Sequence, residues 1–179
     1  MPRAESLALR HDDCQYAEYE AWFEDECNKL SLEPGFSVVG PFVDPCAFPD
    51  SPPWNSDFAI IYPDRMYVRV GEYYRQLPKT EGGGGCRQYF KFHYGPCTGD
   101  RDEDGFPIFN KEFELRIDID CFHGRHAHYV KEDHIPEDRL PGLDFDSMDP
   151  FKFILAVEEH RKISIPLHEI LGFEVVLEK

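Results

Sequence analysis

From Phe113 to Cys121 apolar and polar side chains alternate. Leu115, Ile117, Ile119 and Cys121 fall on one side of an extended chain. Arg116, Asp118, Asp120 and Phe122 fall on the other. A period of two built on Leu and Ile reads as a strand with one face in a core, so Phe113–Phe122 commits the chain to a sheet.

The neighbouring segments extend that sheet. Phe36–Val43, residues 57–62, residues 65–75, Arg87–Tyr94 and His126–Lys131 read as further strands. Pro63-Asp64 supplies turn chemistry between two of them. Phe173–Leu177 reads as a closing strand. Asp44–Asn55, with Pro45, Pro49, Pro52 and Pro53, reads as a loop, as do residues 132–148.

Two helices flank the strands. Over residues 12–30, Tyr16, Tyr19, Phe23, Cys27 and Leu30 recur at helical steps, with Asp12 or Asp13 as the cap. Asp149-Pro150 opens the second helix, with Pro150 at the first helical position and Phe151, Ile154, Leu155 and Val157 as its buried stripe. Residues 166–171 read as one short helical turn. The expected fold class is α+β: an antiparallel meander of about 5–7 strands with an N-terminal and a C-proximal helix packed on it. No internal repeat or long linker divides the chain, so residues 1–179 read as a single α+β domain.

Charge narrows the function. The chain carries 35 acids against 19 bases, a formal net charge of −16. Nucleic-acid affinity rests on Lys and Arg releasing counterions, so free DNA or RNA is disfavoured and a basic protein partner is favoured. Cys14, Cys27, Cys46, Cys86, Cys97 and Cys121 are dispersed, with no Cys-x-x-Cys pair, which argues against a zinc ribbon. No signal-like or membrane-spanning apolar run is present, and the expected location is the cytoplasm with no membrane partner. The exposed-aromatic candidates Trp22, Trp54, Tyr73 and Tyr74 read mainly as core.

Chemistry concentrates after the clearest strand. His123, His126, His128 and His134 fall within twelve residues, and His126-Ala-His128 is a His-x-His pair on a strand. Imidazole is suited to proton transfer and to metal binding near neutral pH. The turn decides which applies. With a two-residue turn, His123-Gly124, Cys121 faces His126, Ile119 faces His128, and both histidines join the core. With a three-residue turn, His123-Gly124-Arg125, Phe122 faces His126, Asp120 faces His128, and both join Arg116, Asp118 and Asp120 on a polar face. Arg116, Asp118, Asp120, His126 and His128 are then the catalytic candidates. His126, His128 and Asp120 are the candidate ligands of a divalent metal, with His93 or His134 as a further member. Histidines without ligands, packed in the sheet, are the competing reading.

Asp100, Asp102 and Asp104, followed by Gly105, begin like a calcium loop. Pro107 falls at position eight and Lys111 stands at position twelve where the pattern requires Glu, so an acidic hairpin loop is the leading reading. Gly82–Gly85 lacks the Lys-Ser/Thr that a phosphate loop requires.

Residues 87–160 resemble an arrangement in small prokaryotic proteins such as the TumE-like toxins. The matching residues are Arg116-Ile-Asp118, His126-Ala-His128, Leu140-Pro141 and Pro150-Phe-Lys-Phe-Ile154. The resemblance implies a toxin–antitoxin or defence setting and RNA cleavage. A nuclease with this charge needs a local basic groove, for which Arg65, Arg69, Arg75, Arg87, Arg116 and Arg125 are candidates. Two functions follow as expectations: a His/Asp hydrolase of nuclease type, and a noncatalytic subunit that docks a basic partner within a larger complex.

Overall fold

A computed structural model describes residues 16–30, 32, 34–45, 54–76, 85–109, 114–130 and 132–177. In chain order the elements are α1 (Tyr16–Lys29), β1 (Ser37–Pro45), β2 (Trp54–Ile61), β3 (Met66–Gln76), β4 (Gly85–Arg101) and β5 (Pro107–Phe109). They continue with β6 (Leu115–Asp120), β7 (Gly124–Tyr129), β8 (Glu132–Pro136), a 3-10 turn at Glu137–Arg139, α2 (Pro150–Ile163) and α3 (Leu167–Leu171). All strand pairs are antiparallel, in the order β1-β2-β3-β4-β6-β7-β8, with β5 paired to the far half of β4. This is the expected α+β architecture.

The alternation in β6 sets the two faces. Leu115 and Ile117 are buried on one of them, beside Val68, Val70, Phe90, Phe92, Ala127 and Ile135. The helices cover that face: Tyr19 lies 4.7 Å from Tyr74 and Phe153 lies 5.8 Å from Phe92, ring centre to ring centre. Trp22, Trp54 and Tyr74 belong to this core and Tyr73 is half-buried, in keeping with the core reading of those aromatics. Asp149 caps α2 as expected, accepting from the N–H groups of Phe151 (2.7 Å) and Lys152 (3.0 Å).

Some segments differ from the expectation. Residues 173–177 form no strand; Glu174 and Val176 instead donate backbone bonds to the carbonyls of Pro141 and Arg139, which anchors an irregular tail. The expected loop 132–148 begins with β8 and the 3-10 turn. Asp44 and Asn55 are strand residues paired with each other, so the Pro-rich loop is shorter than expected. Residues 121–123 leave the strand and form a turn. Asp12, Asp13, Pro49, Pro52, Pro53 and residues 82–84 lie outside the described residues.

One ion pair inside the core ties these pieces together. Glu72 of β3 is fully buried. It accepts from the Tyr19 hydroxyl (2.6 Å) and from Arg87 Nη1 (2.9 Å). Arg87 also donates to the carbonyls of Phe145 (3.0 Å), Asp146 (2.9 Å) and Met148, in the segment leading into α2. Removing one partner of a buried pair strands the other charge, so Arg87→Met is expected to cost about 3–5 kcal/mol. Asp149→Ala, which loses a cap, is expected to cost about 1 kcal/mol. Lys29→Ala, on an exposed helix face, is expected to leave the denaturation midpoint unchanged. Urea unfolding of the three variants measures the order; equal losses for Arg87→Met and Lys29→Ala would contradict it.

Candidate functional site

The β6–β7 hairpin resolves the register question. Asp118 pairs with His126, Arg116 with His128 and Asp120 with Gly124. The turn therefore holds three residues, but they are Cys121-Phe122-His123 rather than His123-Gly124-Arg125. Gly124 closes it with φ 68°, in the left-handed region that glycine enters without steric cost. Asp120 stabilises the turn by accepting from the N–H groups of Phe122 (2.8 Å) and His123 (2.7 Å). Phe122 sits at the exposed tip instead of opposite His126. The pairing differs from both expected registers, yet its parity puts His126 and His128 on the polar face.

Partners across an antiparallel ladder share a face. Arg69, His93, Arg116 and His128 therefore form one row across β3, β4, β6 and β7. Asp57, Gly71, Lys91, Asp118 and His126 form the adjoining row from β2 to β7. Although polar, much of this surface is inaccessible: His93, Asp118, His126 and His128 are all buried.

The cluster centres on Asp118. Its Oδ2 lies 3.5 Å from His126 Nε2 and 3.6 Å from His128 Nε2, and it pairs with Arg116 Nε. Asp120 Oδ2 is 3.9 Å from His126 Nε2 and 3.5 Å from His123 Nδ1. The other nitrogen of His126, Nδ1, lies 3.2 Å from the Gly124 carbonyl. A carbonyl can only accept, so Nδ1 carries the proton and the Nε2 lone pair faces the carboxylates. Rings of His123 and His134 complete the group. His134 is 4.1 Å from His123, 4.7 Å from His128 and 5.3 Å from His126. His134 takes φ 58°, an uncommon conformation for a residue with a side chain.

Among the described residues, two sets of three could hold a metal ion, each with ligand atoms within 4.8 Å of one another: Asp118/His126/His128 and His123/His126/His134. The first set is buried; in the second, His123 and His134 are exposed. Of the expected site residues, the structure brings Arg116, Asp118, His126 and His128 together around one carboxylate oxygen. It places Asp120 at the edge of the group, mainly as the brace of the turn. His93 lies in the row beside Arg116, not in either set. His123 was visible in the histidine-rich stretch, but its role depends on the turn geometry.

Asp100, Asp102 and Asp104 are in neither set. Asp102 Oδ1 instead accepts from the N–H groups of Asp104 (3.1 Å) and Phe106 (2.8 Å), closing the β4–β5 hairpin. That hairpin lays Phe106 under the Arg69 guanidinium, 3.9 Å from the ring centre. Between Phe42 and Phe106 it encloses a cleft of about 190 Å³ lined by Asp44, Asn55, Asp57 and Asp104. The candidate basic residues divide between faces. Arg69 and Arg116 lie beside the histidines, whereas Arg87 is in the core clamp and Arg125 pairs with Glu137 and Asp146. No family model matches the chain, and no curated protein or solved structure is detectably similar to it. No helix among the described residues is long and apolar enough to cross a membrane.

Burial shapes the protonation states. It lowers the pKa of His126, against the opposing pull of the Gly124 carbonyl and Asp118. It drives His93 well below the ordinary value, helped by Arg116, Lys91 and Arg69. Burial would raise Asp120, but the N–H groups of His123 and Phe122 and the His123 ring bring it down to about 2. Histidines kept neutral in the fold take up protons more readily when unfolded, near pH 6.5. Their contribution is therefore intact above about pH 6.5 and is lost as pH falls below it toward their folded values. In chelator-treated protein, urea stability should fall between about pH 7.5 and about pH 5.5, and His93→Gln should flatten that slope. A slope unchanged by His93→Gln would show that His93 does not titrate as described.

Proposed function

We propose that this chain is a small hydrolase working with one divalent transition-metal ion held by Asp118, His126 and His128. One observation carries this reading: Asp118 Oδ2 stands 3.5 and 3.6 Å from two imidazole nitrogens. Those separations are too long for hydrogen bonds. They suit two ligands of one ion, because atoms about 2.0–2.1 Å from a tetrahedral metal stand about 3.3 Å apart. Two nitrogens and one carboxylate favour zinc, iron, cobalt or nickel over calcium or magnesium.

The surroundings support the same role. The Gly124 carbonyl holds His126 in the tautomer that presents Nε2, as partners of metal-bound histidines do. Arg116 steadies Asp118, whose carboxylate has lone pairs enough for both a guanidinium and a metal. A divalent ion held by Asp118, His126 and His128 would supply an acidified water as the nucleophile. Asp120, ionised across the physiological range, is the proton acceptor in this reading.

Lys91 shares the site's face with Arg69 and Arg116, which are paired with Asp57 and Asp118, and supplies the charge that an anionic substrate needs. The TumE-like resemblance points to RNA and to a toxin–antitoxin or defence role in a prokaryotic cytoplasm. The division of arginines between two faces favours a short or small phosphoester over a long duplex. A second reading, docking of a basic partner, rests on the acidic cleft between Phe42 and Phe106, where a Lys or Arg side chain would fit. Its signature is a complex weakened by salt and by Asp104→Lys.

Metal analysis and assays on a phosphodiester reporter and on RNA test the main reading. The wild type should retain close to one transition-metal ion per chain and hydrolyse one of the two substrates. His126→Ala should lose metal and activity, and His128→Ala and Asp118→Asn should lose activity and the ion that survives dialysis, while the chelator-treated proteins melt near the wild type. Full activity in both histidine variants, or unfolding of both, would sink the hydrolase.

A further inference from the structure

The two metal-capable sets share His126, and this overlap has a mechanical meaning. Each imidazole nitrogen offers one lone pair, and the Nδ1 of His126 is committed to the Gly124 carbonyl. Its Nε2 can therefore serve Asp118/His126/His128 or His123/His126/His134, but not both at once. The sets also differ in access. Asp118, His126 and His128 are buried, while His123 and His134 are exposed. An ion arriving from water meets the exposed pair first.

They differ in chemistry as well. The outer set has three neutral imidazoles, with Asp120 backing His123 across 3.5 Å. The inner set adds the Asp118 carboxylate in a water-poor setting, where its attraction for a cation is stronger. Imidazoles alone capture zinc, copper, cobalt or nickel, so the outer set can receive the same ions that the inner set retains.

We propose that His123, His126 and His134 form a loading site that captures a divalent transition-metal ion from solution and passes it, through the shared His126, to Asp118 and His128. This rests on the metal site described above and adds a route to it. Handover needs no redox change. His126 stays bound while the ion exchanges His123 and His134 for the Asp118 carboxylate and His128, and the released imidazoles return to water.

Stopped-flow mixing of chelator-treated full-length protein with Co²⁺ alone reads both stages, because the visible spectrum of cobalt reports its ligands. The wild type should show a fast first species that converts to a second, with saturation at one ion per chain. His123→Ala and His134→Ala alter exposed side chains. Each should lose the first species and slow loading by roughly tenfold, with the final spectrum and equilibrium affinity kept near wild type. Asp118→Asn should form the first species and stop there, and His128→Gln provides the same block if Asp118→Asn misfolds. A single-phase reaction unaffected by His123→Ala and His134→Ala would overturn the loading site while leaving the buried metal site standing. Simultaneous binding of two ions per chain would overturn the shared ligand. Absence of any Co²⁺ binding by the wild type would remove the metal reading itself.

Discussion

The site depends on one backbone pairing, Asp118 opposite His126. In a sheet with one face in the core, a one-residue slip moves every side chain to the other side. Such a slip in β7 would drive His126 and His128 among Leu115 and Ile117 and expose Ala127 on the polar face. The hairpin resists this from both ends. Asp120 locks the turn through two backbone N–H groups, and Gly124 reverses the chain at a positive φ. From the other side Ala127, buried between the histidines, pairs with Ile117 and Ile135 in the helix-covered layer. A small apolar residue between two imidazoles holds them to their side.

The same sheet thus carries two different interiors. One is aromatic and aliphatic, covered by α1 and α2, and the Glu72–Arg87 ion pair within it joins β3 and β4 to α1 and to the segment leading into α2. The other is polar, with Asp118 and His126 set so that their nearest atoms stand beyond hydrogen-bond distance. Burying polar groups without good partners is costly, and native structures accept that cost chiefly where function requires it. The Glu72–Arg87 clamp, saturated with donors and acceptors, is how this chain builds a buried charge for stability. The geometry around Asp118 is different in kind: one buried carboxylate oxygen faces two imidazole nitrogens at 3.5 and 3.6 Å, the spacing on which the proposed metal reading rests.

Much of this was legible in the chain itself. Period-two alternation revealed β6, and Asp149-Pro150 located the start of α2. These signals are local, and local physics enforces them. The turn was harder. His123-Gly124-Arg125 has a plausible turn composition, but the carboxylate of Asp120 draws the reversal two residues earlier by capping two N–H groups. Consequently Asp118 instead of Phe122 faces His126, and Arg116 instead of Asp120 faces His128. The tail illustrates the opposite failure. Phe173–Leu177 has strand composition, yet its backbone donors are taken by Pro141 and Arg139, which no short-range pattern announces.

The acidic balance acquires a sharper meaning in three dimensions. A net charge of −16 argues against nucleic acid when spread over a surface. Here the cations nearest the site are already engaged with carboxylates: Arg69 with Asp57, and Arg116 with Asp118. Gly71 makes room for the first pair, since a Cβ there would approach Asp57 Oδ1 to 2.9 Å. Guanidinium groups so held are positioning devices more than a groove for phosphates. Lys91 differs. It lies between the two pairs, beside Gly71 and Asp118, and its pKa is lowered by burial and then by Arg116. A cation that its neighbours already make less stable gains most when an anion arrives, because the incoming charge relieves both the desolvation and the repulsion. On the proposed reading, the face therefore suits one compact anion seated against Lys91 better than a long polyanion laid across the sheet.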